Sequence, residues 1–93
     1  MSSDPGFRLV IQDVFSIRGR GTVVTGSVEN GTVSSGDRLR LHHGGAERFA
    51  IVQGIEMNQS MASQASSGDL VGLLLQNVEK KDVQRGDVLT GGA

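Results

Sequence analysis

The chain has 93 residues, room for one domain, with a net charge of −1, no Cys and a single Pro. A near-neutral field excludes general attraction to nucleic acid, and the absence of Cys excludes disulfide and thiolate chemistry. No apolar stretch reaches membrane length and no signal-peptide pattern follows Met1, so the expectation is a soluble cytoplasmic protein without a membrane partner.

Leu, Ile, Val and Phe number 26 of 93, too many for a disordered chain, and Val with Ile outnumbers Leu, which favours strands. Residues 1–6 are polar with a Pro-Gly pair and read as a disordered lead. Phe7–Ile17 reads as a strand with Phe7, Leu9 and Ile11 on the buried face. Val10 and Val14 fall on the other face, so the strand is covered on both sides or carries a bulge. Gly19-Arg20-Gly21 is a turn, Thr22–Glu29 a second strand interrupted by Gly26, and Asn30-Gly31 the strongest short hairpin signal. Arg38–His42 alternates with Leu39 and Leu41 inward, and Gly44-Gly45 turns the chain. Arg48–Glu56 is a longer strand, with Phe49, Ile51 and Ile55 sharing one face. Asn58–Gly68 is mostly Ser, Gln and Ala and reads as an exposed loop. Asp69–Gln76 is almost continuously apolar, as a central strand would be. Glu79–Gln84 suits one helical turn, Asp87–Thr90 a closing strand, and residues 91–93 a tail.

Gly36-Asp37, Gly68-Asp69 and Gly86-Asp87 each precede an apolar strand. Gly supplies a left-handed backbone and Asp accepts a hydrogen bond from the turn that it closes. Roughly five to seven short strands, with turns every 8–12 residues, indicate a sandwich or barrel, and a barrel removes exposed edges.

Gly19–Gly26 resembles a phosphate loop only superficially. It lacks Gly-Lys-Ser/Thr, has Val24 where a dinucleotide fingerprint needs Gly, and runs into a β-branched strand instead of a helix. Nucleotide binding by this chain alone is therefore not expected. His42 and His43 are adjacent on a strand and point to opposite faces, which does not suit one metal ion. Arg85-Gly86-Asp87 matches an adhesion tripeptide, but the same Gly-Asp pair recurs as turn chemistry. Asp13 and Glu56 lie mid-strand, where they face water or mark a binding face. The residue types supply no nucleophile, base and orienting group as a set, so no enzyme, cofactor or catalytic residue is expected.

The ordered line Ile11-Gln12-Asp13-Val14-Phe15-Ser16-Ile17-Arg18-Gly19-Arg20-Gly21-Thr22-Val23-Val24-Thr25-Gly26 continues through Val28-Glu29-Asn30-Gly31. With Gly36-Asp37, Gly54-Ile55-Glu56-Met57, Gly68–Leu75 and Arg85–Leu89, it resembles domain 2 of elongation factor Tu from Phe7 to Thr90. The resemblance implies an all-β fold, a closed six-stranded antiparallel barrel with Greek-key connections over residues 7–90. In that family the domain follows a GTP-binding domain, holds the aminoacylated 3′ end of transfer RNA and touches the ribosome. Residue by residue, the resemblance implies that Gln12, Asp13, Phe15, Val23, Thr25 and Leu70 line an aminoacyl pocket. Glu56 would lie beside the terminal adenosine. Gln12 stands where the family usually has Glu and Leu70 where it has Asn, and Asn58–Gly68 lacks the family's basic residues.

Most of these motif residues also serve as scaffold, so the resemblance bears on fold before activity. The leading expectation is a non-enzymatic module that binds an RNA end, such as the 3′ end of transfer RNA, or a ribosomal or other translation component. The alternatives are a protein–protein adaptor, with a GTPase or another protein as partner, and a piece of a larger translation GTPase. Met1 and the polar lead favour a complete chain.

Overall fold

The computed structural model describes residues 3–92. Alternating burial along each strand generates its architecture, because successive side chains point to opposite faces. The strands are β1 (Arg8–Val10), β2 (Asp13–Ile17), β3 (Gly21–Asn30), β4 (Thr32–Ser34), β5 (Arg38–His43), β6 (Ala46–Met57), β7 (Ser60–Ala62), β8 (Gln64–Ser66), β9 (Leu70–Gln76) and β10 (Val88–Thr90). Leu9, Val24, Val28, Leu39, Leu41, Val52, Val71, Leu73, Leu75 and Leu89 turn inward and are buried. No α-helix occurs among the described residues.

The barrel runs β1–β10–β5–β6–β9–β3 and closes where β3 returns to β1, every pair antiparallel. The sequence-based expectation of a closed six-stranded antiparallel barrel is met. The strands β5, β6 and β9 are spatial neighbours in sequence order, and β3 lies beside β9, which is a Greek-key arrangement. Strand β2 continues from β1 along the same edge of β3, and β7 extends the sheet beyond β6. A separate β4–β8 pair closes one end with Val33 and Ala65 buried. A 3-10 turn at Lys80–Asp82 lies where one helical turn was expected over Glu79–Gln84, and the flanking Val78 and Val83 are buried.

Three turns share one hydrogen-bond pattern. Asp37, Asp69 and Asp87 each accept from the backbone N–H three residues earlier, at Ser34, Ser66 and Gln84, over 2.8–2.9 Å. Gly36, Gly68 and Gly86 have φ of 94°, 94° and 91°. Each glycine N–H donates to a backbone carbonyl in or next to a strand (Val52 in β6, Val28 in β3 and Ile11 just beyond β1), and the same residue donates back to the Asp carbonyl. Every one of these turns therefore clamps a distant strand, which explains why the pair recurs. Arg85-Gly86-Asp87 belongs to this device.

Four expectations are corrected. Phe7–Ile17 splits at Ile11-Gln12, because Gln12 N–H turns to the Thr25 carbonyl and Ile11 to the Asp87 turn. Asn30-Gly31 does not make a hairpin: β4 pairs with β8, and Thr32 N–H is taken by the Asp4 carboxylate. Phe49 and Ile51 face outward at 40% and 39% exposure while Ile55 is fully buried, since a bulge between Val52 and Gly54 reverses the alternation. Asn58–Gly68 is not a loop: it contains β7 and β8, and Asn58 and Gln59 have φ of 52° and 65° in a two-residue hairpin.

Residues 3–6 also differ from a disordered lead. Ser3 is buried and its hydroxyl donates to the Arg38 carbonyl, while the Asp4 carbonyl accepts from Phe7 N–H. Gly92 N–H donates to the Ser3 hydroxyl, so the start and end of the barrel are tied together. Residues 1, 2 and 93 of the lead and tail lie outside the described residues.

Candidate functional site

The outer face of β2, β3, β9, β6 and β7 carries two registered rows. Asp13 pairs with Thr25, Thr25 with Gly72, Gly72 with Glu56 and Glu56 with Met61, so one row crosses five strands. A second row runs Phe15, Val23, Leu74 and Gly54. Gly72 sits in the middle of the first row, in an otherwise apolar central strand. A Cβ there would meet Val23, Glu56 and Thr25 at 3.7–3.9 Å, so the missing side chain makes a depression with walls in van der Waals reach. A glycine inside a strand is a mark of close approach by something else.

An open groove of about 670 Å³ lies on this depression. Gln12, Asp13, Phe15, Val23, Thr25, Glu56 and Leu70, all seven residues singled out in the sequence, line it. They come from four strands and the β1–β2 link, yet register alone brings them together. Next to it lies a more enclosed pocket of about 190 Å³ between Ile17, Val23, Gly54, Glu56, Met61, Gly72 and Leu74, with Arg20 at its rim. Glu56 and Val23 stand in the wall between the two.

The face is apolar for an exposed surface. Phe15, Ile17, Leu70 and Met61 are 52%, 41%, 64% and 72% exposed and account for four of the six large exposed hydrophobic side chains among the described residues. Contiguous exposed apolar surface of this kind marks an interaction site. Two carboxylates, Asp13 and Glu56, punctuate it, and both are exposed. The Arg85 guanidinium lies 3.8 Å from Asp13 and donates to the Gln12 carbonyl, steadying the rim of the groove at β2. Pairing at that exposure contributes little to stability.

His42 and His43 stand apart from this face. His42 Nε2 meets the Thr90 hydroxyl at 2.8 Å and His43 Nδ1 meets Asp87 at 2.6 Å, so each has its own partner.

Sequence reasoning missed Ile17, Gly54, Met61, Gly72 and Leu74. Gly72 and Gly54 were legible in principle as glycines interrupting strands. Met61 was not, because its segment has no strand-like alternation.

The family model for elongation factor Tu domain 2 matches residues 21–90. The chain belongs to that family. The match starts at Gly21, so it spans Val23, Thr25, Glu56 and Leu70 but stops short of Gln12, Asp13 and Phe15. Translation elongation factor SelB from Methanococcus maripaludis, in its apo form, is similar over 96% of this chain at 32% identity and a TM-score of 0.83. The chain spans 19% of that protein's length. This domain 2 barrel is thus a translation-factor-like module equivalent to about one fifth of a longer relative.

Proposed function

We propose that this domain 2 barrel is a non-catalytic module whose outer groove receives the aminoacylated 3′ end of a transfer RNA. The observation that carries the reading is the convergence of Gln12, Asp13, Phe15, Val23, Thr25, Glu56 and Leu70 on one groove floored by Gly72. In this reading the enclosed pocket beside Glu56 takes the terminal base, since about 190 Å³ is below the size of a drug-sized site and fits a flat ring system. The Glu56 carboxylate accepts from the ribose hydroxyl, which distinguishes RNA from DNA. Gln12, Asp13, Thr25 and Leu70 face the esterified amino acid. Leu70 offers an apolar contact there and Gln12 an uncharged polar one, beside the carboxylate of Asp13.

The module works by binding in the cytoplasm and holds no guanine nucleotide on its own, for want of a phosphate loop. Its affinity alone is weak. Stacking of one base contributes about 1–3 kcal/mol, the net charge of −1 supplies no general phosphate attraction, and linked modules that would raise effective concentration are supplied by a longer chain or a GTPase partner.

The test is a titration with aminoacylated and deacylated transfer RNA at low salt, followed by backbone and methyl chemical shifts. Shifts at Phe15, Thr25, Glu56 and Leu70 that vanish in Glu56→Ala, with the fold intact, are the expected result. No shift on this face with either RNA refutes it. Retention of a protein partner on the same residues would instead favour an adaptor, to which the exposed Phe15, Leu70 and Met61 are equally suited.

A further inference from the structure

We infer that Met61 is a specificity-determining residue of this barrel, a thioether cover that gives the pocket beside Glu56 a preference for a purine base. The inference rests on the reading of the groove as an RNA-end site and adds to it a residue outside the motifs that carry the family resemblance.

Met61 is placed by the β6–β7 hairpin, where Asn58 and Gln59 adopt left-handed φ values of 52° and 65° in a two-residue turn. That turn sets Met61 directly opposite Glu56 on the outer face. Met61 is 72% exposed, the most exposed large hydrophobic side chain described, and it is absent from the buried core and from the side chains packed on it. Its methyl carbon nevertheless lies close to the neighbouring strand β6. A Cβ built on Gly54 would stand 2.9 Å from Met61 Cε, so the thioether lies across the strand over a position with no side chain. The pocket is thus walled by Val23, Leu74 and Glu56 and partly covered by Met61.

A core role does not explain an exposed methionine laid over a glycine. An adaptable cover does: methionine is unbranched, repacks readily and makes favourable sulfur contacts with aromatic rings. A flat ring entering between the Val23–Leu74 wall and the Met61 thioether gains such a contact, and a larger ring system covers more of it. The chemistry therefore selects a purine over a pyrimidine.

The experiment uses the full chain with two probes, the trinucleotides CCA and CCC. The wild type, Met61→Ala and Met61→Leu are compared by titration, with the Met61 methyl followed by NMR and the half-buried Met57 as internal reference. The wild type should bind CCA more tightly than CCC and show an upfield ring-current shift of the Met61 methyl. Met61→Ala should reduce the CCA-over-CCC ratio about two- to tenfold, the range that a sulfur–aromatic contact allows, with CCC binding little changed. Met61→Leu should keep an intermediate ratio. Gly54→Ala, which displaces the thioether, should lower the ratio as Met61→Ala does. An unchanged ratio in Met61→Ala, or an unmoved Met61 methyl while Glu56 shifts, overturns the inference and leaves the RNA-end reading standing. Failure of both trinucleotides and of transfer RNA to bind overturns both.

Discussion

Replacing Gly26 by Ala adds one methyl group where two strands cross. Gly26 lies in β3 on the inward side, under the end of β1, between the segment that pairs with β2 and the segment that pairs with β1. A Cβ at residue 26 would stand 2.5 Å from the Val10 carbonyl oxygen and 3.0 Å from Leu9 Cδ2. Neither neighbour yields easily. Val10 is held in register with Val88, and Leu9 with Leu89 and Val28, so relief of the clash must lift β1 off the seam that closes the barrel. Two effects oppose each other. The φ of Gly26 is outside the left-handed region, so Ala is conformationally acceptable and restricts the unfolded chain, which by itself stabilises by about 0.4–1 kcal/mol. Overpacking against a fixed carbonyl costs about 1–3 kcal/mol. The clash wins, leaving a net destabilisation of about 1–2 kcal/mol. For a domain of this size that lowers Tm by about 4–16 °C. Thermal and urea melts measure it, and hydrogen exchange at Leu9 and Val28 should quicken more than at Leu41. A Tm equal to or above wild type would show that β1 shifts freely and that the seam is not tightly packed.

Three further substitutions separate backbone, turn and surface effects. Gly21 has φ of 135° and a Cβ there would be 3.0 Å from the Leu75 carbonyl, so Gly21→Val should lose about 1–3 kcal/mol; an unchanged urea midpoint would contradict this. Asp37 is 8% exposed and Asp69 is only half-buried, although both accept the same kind of turn N–H. Asp37→Ala should therefore cost about 1–3 kcal/mol and Asp69→Ala about 0.5–1.5 kcal/mol, and the reverse ranking in paired melts would refute the burial argument. Phe15, at 52% exposure, should tolerate Ala within about 0.5 kcal/mol of wild-type stability; a core-sized loss would make it a packing residue and remove it from the groove.

The barrel was legible where local chemistry and global fold agree. Arg38–His42 alternates cleanly, and the structure buries Leu39 and Leu41 completely. The Gly-Asp pairs announced turns, and each is one. Errors arose where a long-range bond overrode a local signal. Asn30-Gly31 is a strong hairpin dipeptide, but the Asp4 carboxylate takes Thr32 N–H and sends β4 to a different sheet. Residues 3–6 look like a free end because their partners, Arg38, Thr32 and Gly92, are distant in sequence. The bulge before Gly54 leaves no mark in the hydrophobic pattern except the reversal itself, which reads as an ordinary strand with Ile51 and Ile55 on one side.

The groove was harder to see for a related reason. A ligand-binding face on a barrel must turn apolar side chains outward, and outward apolar residues blur the alternation that identifies strands. Leu70, Gly72 and Leu74 alternate with the buried Val71, Leu73 and Leu75, so β9 reads as continuously apolar and its two faces cannot be told apart by composition. Only register separates them: pairing Gly72 with Thr25 on one side and Glu56 on the other fixes which face is hollow. Glu56 and Asp13 then acquire meaning, since each belongs to a strand, Asp13 at the start of β2 and Glu56 near the end of β6, and each borders the same depression. The same logic exposes Met61. Its hairpin turns through Asn58-Gln59 instead of a glycine pair, so no local signal reports the strand that carries it. A search of comparable barrels should therefore begin from glycines in central strands and ask which exposed apolar side chains their neighbours in register bring to the rim.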